Sequence, residues 1–385
     1  MNLLVINLDK TIFHKDSKSL LRLKEYSALT DKMFVIVWTQ KKEEPIIYEN
    51  KLFIYPTNSA FKFLYYFHTF KIAKRILREH KVDLIFTQDP YETGIAGWLI
   101  ALKNKIPLQF QIHTDLFSRF FRAESLSNKI RTFIAGYLIK KADLVKVVSE
   151  RISKSLKKEL NIPESKIFVL PIFVDTKKII NFKTEFDVHK KYPQFDFVIF
   201  TAARFSREKN LGMAIAAMPK ILAKYPKAGL LIIGGGPEEK KLRERSLDLS
   251  GNIVFESWTD SIIPYYKTAD LFILTSNYEG YGLSVVEAMA SGCPVIMTDV
   301  GCAGELVKEG ENGKIIPVGD LEKLSVAVIE IIENKDLRMN IAEKAQTSVS
   351  ILPDKETSLR LYGESWEKTI ENYECKINTH RRNNF

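Results

Sequence analysis

The sequence predicts an α/β protein with two parallel sheets, each wrapped by helices. Two observations carry that reading. Short apolar runs alternate with helical patterns of about ten or more residues, the order of a parallel sheet with crossover helices. The alternation pauses at a polar stretch, residues 177–194, and resumes at 197. A chain of 385 residues, 45% apolar and 27% charged, has ample core for two or three soluble domains. We expect domains over 1–178 and 179–354, and a helix and tail over 355–385.

In the first half, strands are expected at 3–7, 33–38, 52–55, 84–87, 108–112, 144–148 and 167–170. Their apolar character marks strands buried in a parallel sheet. Helical patterns fill the gaps at 20–29, 61–80, 93–102, 128–141 and 150–160. The opening MNLLVINLDK is short, lacks a basic leader and ends in Asp9 and Lys10, so it reads as a first strand and not a signal peptide. The second half repeats the pattern with strands at 197–202, 229–233, 253–255, 271–275, 295–298 and 314–317. Helices at 321–333 and 337–348 close it, followed by one at 355–373 and a charged end, THRRNNF, expected to be disordered.

No run of about 18 apolar residues exists, so no membrane-spanning helix is expected. Cys293, Cys302 and Cys375 are widely spaced and show no metal-ligand pattern; reduced cysteines in a cytoplasmic protein are expected. The net charge is +10, and residues 1–180 hold 31 Lys and Arg against 18 Asp and Glu. All the excess positive charge therefore lies in the first half. It points to an anionic partner, a membrane surface or a phosphorylated acceptor before nucleic acid, or else to ordinary solvated lysines.

The densest chemical signal is residues 278–294, YEGYGLSVVEAMASGCP. It lies between two strands, so it forms a turn and helix at the carboxyl end of a sheet, where ligands bind in doubly wound folds. Gly280 and Gly282 allow a sharp turn, and the helix start offers N–H groups to an anion. Glu279 before the turn and Glu287 within the helix suit sugar or ribose hydroxyls, which carboxylates bind as strong acceptors.

This stretch resembles the signature of retaining glycosyltransferase family 4, whose hallmark is two glutamates separated by seven residues. Glu279, Gly280, Gly282, Leu283, Glu287, Ala288, Met289, Ala290, Gly292, Pro294, Val295 and Ile296 all match. The resemblance implies two facing Rossmann-like domains, the GT-B architecture, with a last helix that can cross back to the first domain. It implies that Glu287 holds the nucleotide ribose and that Glu279 contacts the donor sugar near the leaving phosphate. Gly280, Tyr281, Gly282 and Leu283 then line the nucleotide-sugar site.

Arg204 and Lys209 stand in AARFSREKN, after the first strand of the second half, and match the family's G-R-x-x-x-x-K with Ala203 in place of glycine. A nucleoside diphosphate leaving group develops negative charge. An Arg fork and a Lys point charge can stabilise it where, as here, the sequence has no Asp-x-Asp metal motif. No metal and no cofactor are expected. Gly234, Gly235, Gly236 and Pro237 end a strand, either near the nucleotide or as a plain turn. The loop 256–259 falls where the family frames the base.

His113 ends the strand LQFQI at the place where the family carries a first-domain His that faces the donor sugar. Residues 89–97, DPYETGIAG, are family-like and are expected on the acceptor side. There are departures. Residues 1–93 contain no glycine, so the family's Gly-Gly loop after the first strand is replaced by residues 8–13, which either contact the donor through Lys10 or Lys15 or mainly shape the acceptor site. The P-N-G-V-D segment reads Pro171, Ile172, Phe173, Val174, Asp175.

Two segments, 61–75 and 117–131, interleave aromatics with cations, as an interfacial helix or a lipid-carrier site would; core packing is the plainer reading. The reading implied is a cytoplasmic, metal-independent, retaining hexosyltransferase, peripheral to the inner membrane face, with a nucleotide-sugar donor and a glycan or lipid-linked acceptor. A nucleotide-sugar epimerase and a non-catalytic nucleotide-binding subunit are the alternatives.

Overall fold

The computed structural model describes residues 1–382. The first half forms an eight-stranded sheet from β1 (Asn2–Asn7), β2 (Lys32–Val37), β3 (Ile46–Tyr48), β4 (Leu52–Pro56), β5 (Leu84–Thr87), β6 (Leu108–Ile112), β7 (Leu144–Val147) and β8 (Ile167–Val169). Its order is β3-β4-β2-β1-β5-β6-β7-β8, parallel except for the pairing of β3 with β4. Helices α1 (Lys18–Ala28), α2 (Leu64–Glu79), α3 (Glu92–Asn104), α4 (Arg119–Glu124), α5 (Leu126–Ile139) and α6 (Glu150–Leu160) cover its faces. The short edge strand β3 was not expected.

The stretch 177–194 is not a bare link. It holds α7 (Thr176–Asn181) and α8 (Val188–Lys191), capped by Asp175 and Asp187. The second sheet comprises β9 (Phe197–Arg204), β10 (Ala228–Gly235), β11 (Ile253–Glu256), β12 (Leu271–Leu274), β13 (Val295–Thr298) and β14 (Lys314–Ile316), in the order β11-β10-β9-β12-β13-β14. Helices α9 (Leu211–Leu222), α10 (Glu239–Arg245), α11 (Ile263–Thr268), α12 (Leu283–Ala290), α13 (Leu321–Glu333) and α14 (Lys335–Ser350) surround it. All its pairings are parallel.

Chain order reverses between β1 and β5 in one sheet and between β9 and β12 in the other. Crevices open at such switch points, beyond the carboxyl ends of the strands. Arg204 ends β9 and Glu279 follows β12, so the two loops that carry the sequence signature lie side by side.

The last helix, α15 (Lys355–Arg382), returns to the first domain. Its Trp366 is fully buried against Phe86 and Tyr26. Gln109 Nε2 donates to Ser365 O and Thr369 Oγ1, and Asn372 Nδ2 donates to Asp143 O and Ser165 O. The tail expectation needs correction. Thr379 to Arg382 continue this helix, because fastenings at Asn372 and at Lys376, which meets Asp143, hold its preceding turns to the sheet. Asn383 to Phe385 lie outside the described residues. Among the described residues no helix is long and apolar enough to cross a membrane.

Candidate active site

The domains meet across their loop ends. Arg151 of α6 donates to the carbonyls of Gly301 and Ala303 at 3.2 and 3.0 Å and pairs with Asp299. The Glu150 N–H donates to Glu305 at 2.8 Å. The Tyr278 hydroxyl bonds Glu124 of α4, and its ring meets Phe121 edge-on at 5.4 Å. These contacts close the two halves over a pocket of about 300 Å³, whose lining includes Asp115, Arg119, Arg151, Tyr278, Glu279 and Asp299.

Glu279 sits at the centre. Its Oε1 accepts from Lys209 Nζ at 2.6 Å and from Ser276 Oγ at 2.7 Å. Sequence reasoning placed Lys209 and Glu279 in one site but gave no sign of this ion pair. Lys209 retains ammonium protons that Glu279 does not engage, because an ammonium has three to donate. Arg204 is exposed and pairs with Glu208 at 2.7 Å, so its guanidinium can reorient toward a ligand.

Gly280 explains how tightly the domains approach. A Cβ there would lie 2.0 Å from the His113 carbonyl oxygen. Only glycine lets this loop reach the first domain. Gly282 begins α12 in the left-handed region at φ 95°, with Leu283 as the first helical residue. Tyr281 is buried, and its carbonyl accepts from Cys302 N at 2.8 Å, which fixes the loop.

Glu287 is within 3.2 Å of the Tyr266 hydroxyl, which donates to it. Burial pushes its carboxyl above the usual range, against the pull of that hydroxyl and of the Lys18 charge. Lys18 opens α1 of the first domain, and its charge acts on Glu287 across the cleft. Only the fold reveals Lys18, since no motif relates positions 18 and 287.

His113 follows β6, and its Nε2 is buried without a hydrogen-bond partner. Burial, with the charges of Lys146 and Arg22, lowers its pKa from 6.5 to about 3. The ring is therefore neutral at neutral pH. The folded state then binds fewer protons than the unfolded chain from about pH 6.5 down toward 3, so stability falls as pH falls through that window. His113→Gln should make the fall shallower by up to about 1.4 kcal/mol per pH unit, measured by denaturant unfolding between pH 7 and 5.

Other expected residues have structural duties. Asp89 is buried and accepts from the N–H groups of Tyr91 and Thr93 and from Thr93 Oγ1, capping the start of α3. Gly234 and Gly236 have φ of 151° and 153°, and a Cβ there would strike the carbonyl of Ala203 within β9 at 2.0 Å or that of Phe205 just after it at 2.6 Å. Glu256 is held by Lys191, Tyr192 and Tyr265, whereas Trp258 of the same loop is exposed.

Residues 27–178 match the family model Glycosyltransferase Family 4, and residues 182–348 match Glycosyl transferases group 1. The chain is 28% identical over 286 residues to N-acetyl-alpha-D-glucosaminyl L-malate synthase of Bacillus anthracis, covering 72% of each. It is 30% identical over 162 residues to phosphatidyl-myo-inositol mannosyltransferase of Mycolicibacterium smegmatis, covering 41% of this chain and 42% of that protein. The structure of HepE from Anabaena in complex with UDP-glucose superimposes with a TM-score of 0.74 at 21% identity, over 95% of this chain and 99% of that one. With both halves matched and two Rossmann-like domains facing across one cleft, the chain belongs to the family 4 glycosyltransferases of GT-B architecture.

Proposed function

We propose that this protein moves a hexosyl-type residue from a nucleoside diphosphate sugar to a hydroxyl of a growing glycan or lipid-linked saccharide, with the anomeric configuration retained and without a metal ion. The observation that carries the reading is the convergence of Glu279, Lys209 and the Gly280 turn on His113 across the domain cleft. In this reading Arg204 and Lys209 take the diphosphate, the start of α12 faces the same anion, and Glu287 binds the ribose. Glu279 accepts hydrogen bonds from sugar hydroxyls, and neutral His113 donates one from its buried nitrogen.

In the reacting step the bond from the anomeric carbon to the phosphate oxygen breaks, and its electron pair stays on the phosphate. The acceptor oxygen bonds the anomeric carbon from the same face, and its proton passes to the departing phosphate. Glu279 already carries a lysine and a serine on one oxygen, which suits it to orienting the sugar more than to attacking it. The likeness to a UDP-glucose-bound structure supports a nucleotide-sugar donor, and the relative named for phosphatidyl-inositol supports a lipid-linked acceptor.

Incubation with a panel of nucleotide sugars should release nucleoside diphosphate from at least one, and an acceptor should accelerate the release. Activity should survive EDTA. Loss in EDTA with rescue by magnesium or manganese would overturn the metal-free part of the reading.

A further inference from the structure

An amphipathic helix ordinarily turns its apolar stripe inward. α5 has an apolar stripe on its outer side as well. Leu126, Ile130, Phe133 and Tyr137, spaced at i, i+4, i+7 and i+11, are all exposed, Phe133 by 81%. The inward positions are Asn128, Thr132, Ala135, Leu138 and Ile139. α2 behaves similarly in its first half. Phe63, Phe67 and Phe70 face outward, and the stripe continues into exposed Lys71 and Lys74.

α3 joins the two and adds exposed Leu99 and Leu102. The Tyr66 hydroxyl on α2 donates to Glu92 O on α3 at 3.2 Å, and Trp98 of α3 meets Tyr137 of α5 edge-on at 5.8 Å. Between them runs a groove of about 330 Å³, walled by Tyr91, Ile95, Ile130 and Ile134 and bearing the Glu92–Arg131 pair. Exposed cations edge this face: Lys62, Lys71, Lys74, Lys129 and Lys140.

We propose that the outer faces of α2, α3 and α5 together dock on an anionic lipid bilayer. The aromatic and aliphatic side chains enter the headgroup layer, and the lysines meet lipid phosphate. A contiguous apolar surface of this kind on a soluble fold marks an interaction site. Its basic edge selects an anionic partner, and a second copy laid on the same face would set lysines against lysines. Aromatics with cations on one face are the composition of interfacial helices. The docked orientation brings the cleft near the membrane, since α4, which leads into α5, carries Phe121 and Glu124 onto Tyr278.

The test is co-sedimentation of the full chain with vesicles of phosphatidylcholine alone or mixed with phosphatidylglycerol, without donor or acceptor. The wild type should bind the mixed vesicles at low salt, release at high salt, and bind phosphatidylcholine weakly. The pair Lys71→Glu and Lys74→Glu should weaken binding at least about 25-fold, at about fivefold per cation lost. Ile130→Ser with Phe133→Ser should weaken it at least about tenfold, and thermal midpoints should stay at the wild-type value because all four positions are exposed. Failure of the wild type to bind anionic vesicles at low salt overturns the proposal, as does binding that both variants leave unchanged. A dimer in light scattering that Phe133→Ser converts to monomer, with vesicles ignored, would assign the face to a second copy instead.

Discussion

Arg204→Ala should lower turnover about 100-fold or more while leaving the thermal midpoint in place. The loss is the scale for one transition-state charge contact. The guanidinium is exposed, and its half-buried partner Glu208 keeps a hydrogen bond from Ser206 when it is removed, so the loss costs the fold little. Lys209→Ala should fall at least as far, for two reasons. It removes a cation proposed to meet the diphosphate, and it strips Glu279 Oε1 of its ammonium partner at 2.6 Å, leaving the Ser276 hydroxyl. Adding Glu279→Ala to Lys209→Ala should then cost much less than the single losses combined, because the pair acts as a unit. Rates of nucleoside diphosphate release measure all three. An Arg204→Ala enzyme within a fewfold of wild type would remove the phosphate clamp from the mechanism.

Glu279→Ala and Glu287→Ala should separate cleanly. Glu287 is assigned to the ribose, which is present with or without a sugar, so its loss should weaken binding of the free nucleoside diphosphate. Glu279 is assigned to the sugar, so its loss should act on kcat and spare nucleotide affinity. For Glu279 a decrease of about 100-fold is expected, the scale of a reacting-centre contact. Calorimetric titration beside steady-state kinetics resolves the two. Equal losses of nucleotide affinity in both variants would refute this division of roles.

Much of this molecule can be read from local sequence because its strands are buried on both faces. LIFT and LFIL are almost wholly apolar and LQFQI alternates apolar residues with two buried glutamines, and they form β5, β12 and β6 within a residue of where their composition puts them. The turn at 278–287 is legible because its glycines and glutamates are near neighbours in the chain. What local pattern cannot reach is pairing across the cleft. Gly280 against His113 and Tyr278 against Glu124 join residues more than 100 positions apart, and the charge of Lys18 reaches Glu287 over a still longer separation in sequence. The edge strand β3 was missed because three residues after Pro45 carry no period. The end of α15 was missed because charge alone reads as solvent, whereas Asn372 and Lys376 anchor the helix to the first sheet. The aromatic segments divide: Tyr65, Phe117 and Phe121 pack inward, and Phe61, Phe63 and Phe67 do not.

Transfer should proceed with net retention at the anomeric carbon, the outcome that separates the proposed same-face departure and attack from a single inverting displacement. Proton NMR of the product formed from a turned-over nucleotide sugar tests it directly, through the coupling constant of the newly linked anomeric proton. The account predicts the anomeric configuration of the donor in the first product formed. An inverted product would contradict it and would require a general base on the opposite face of the sugar from the phosphate.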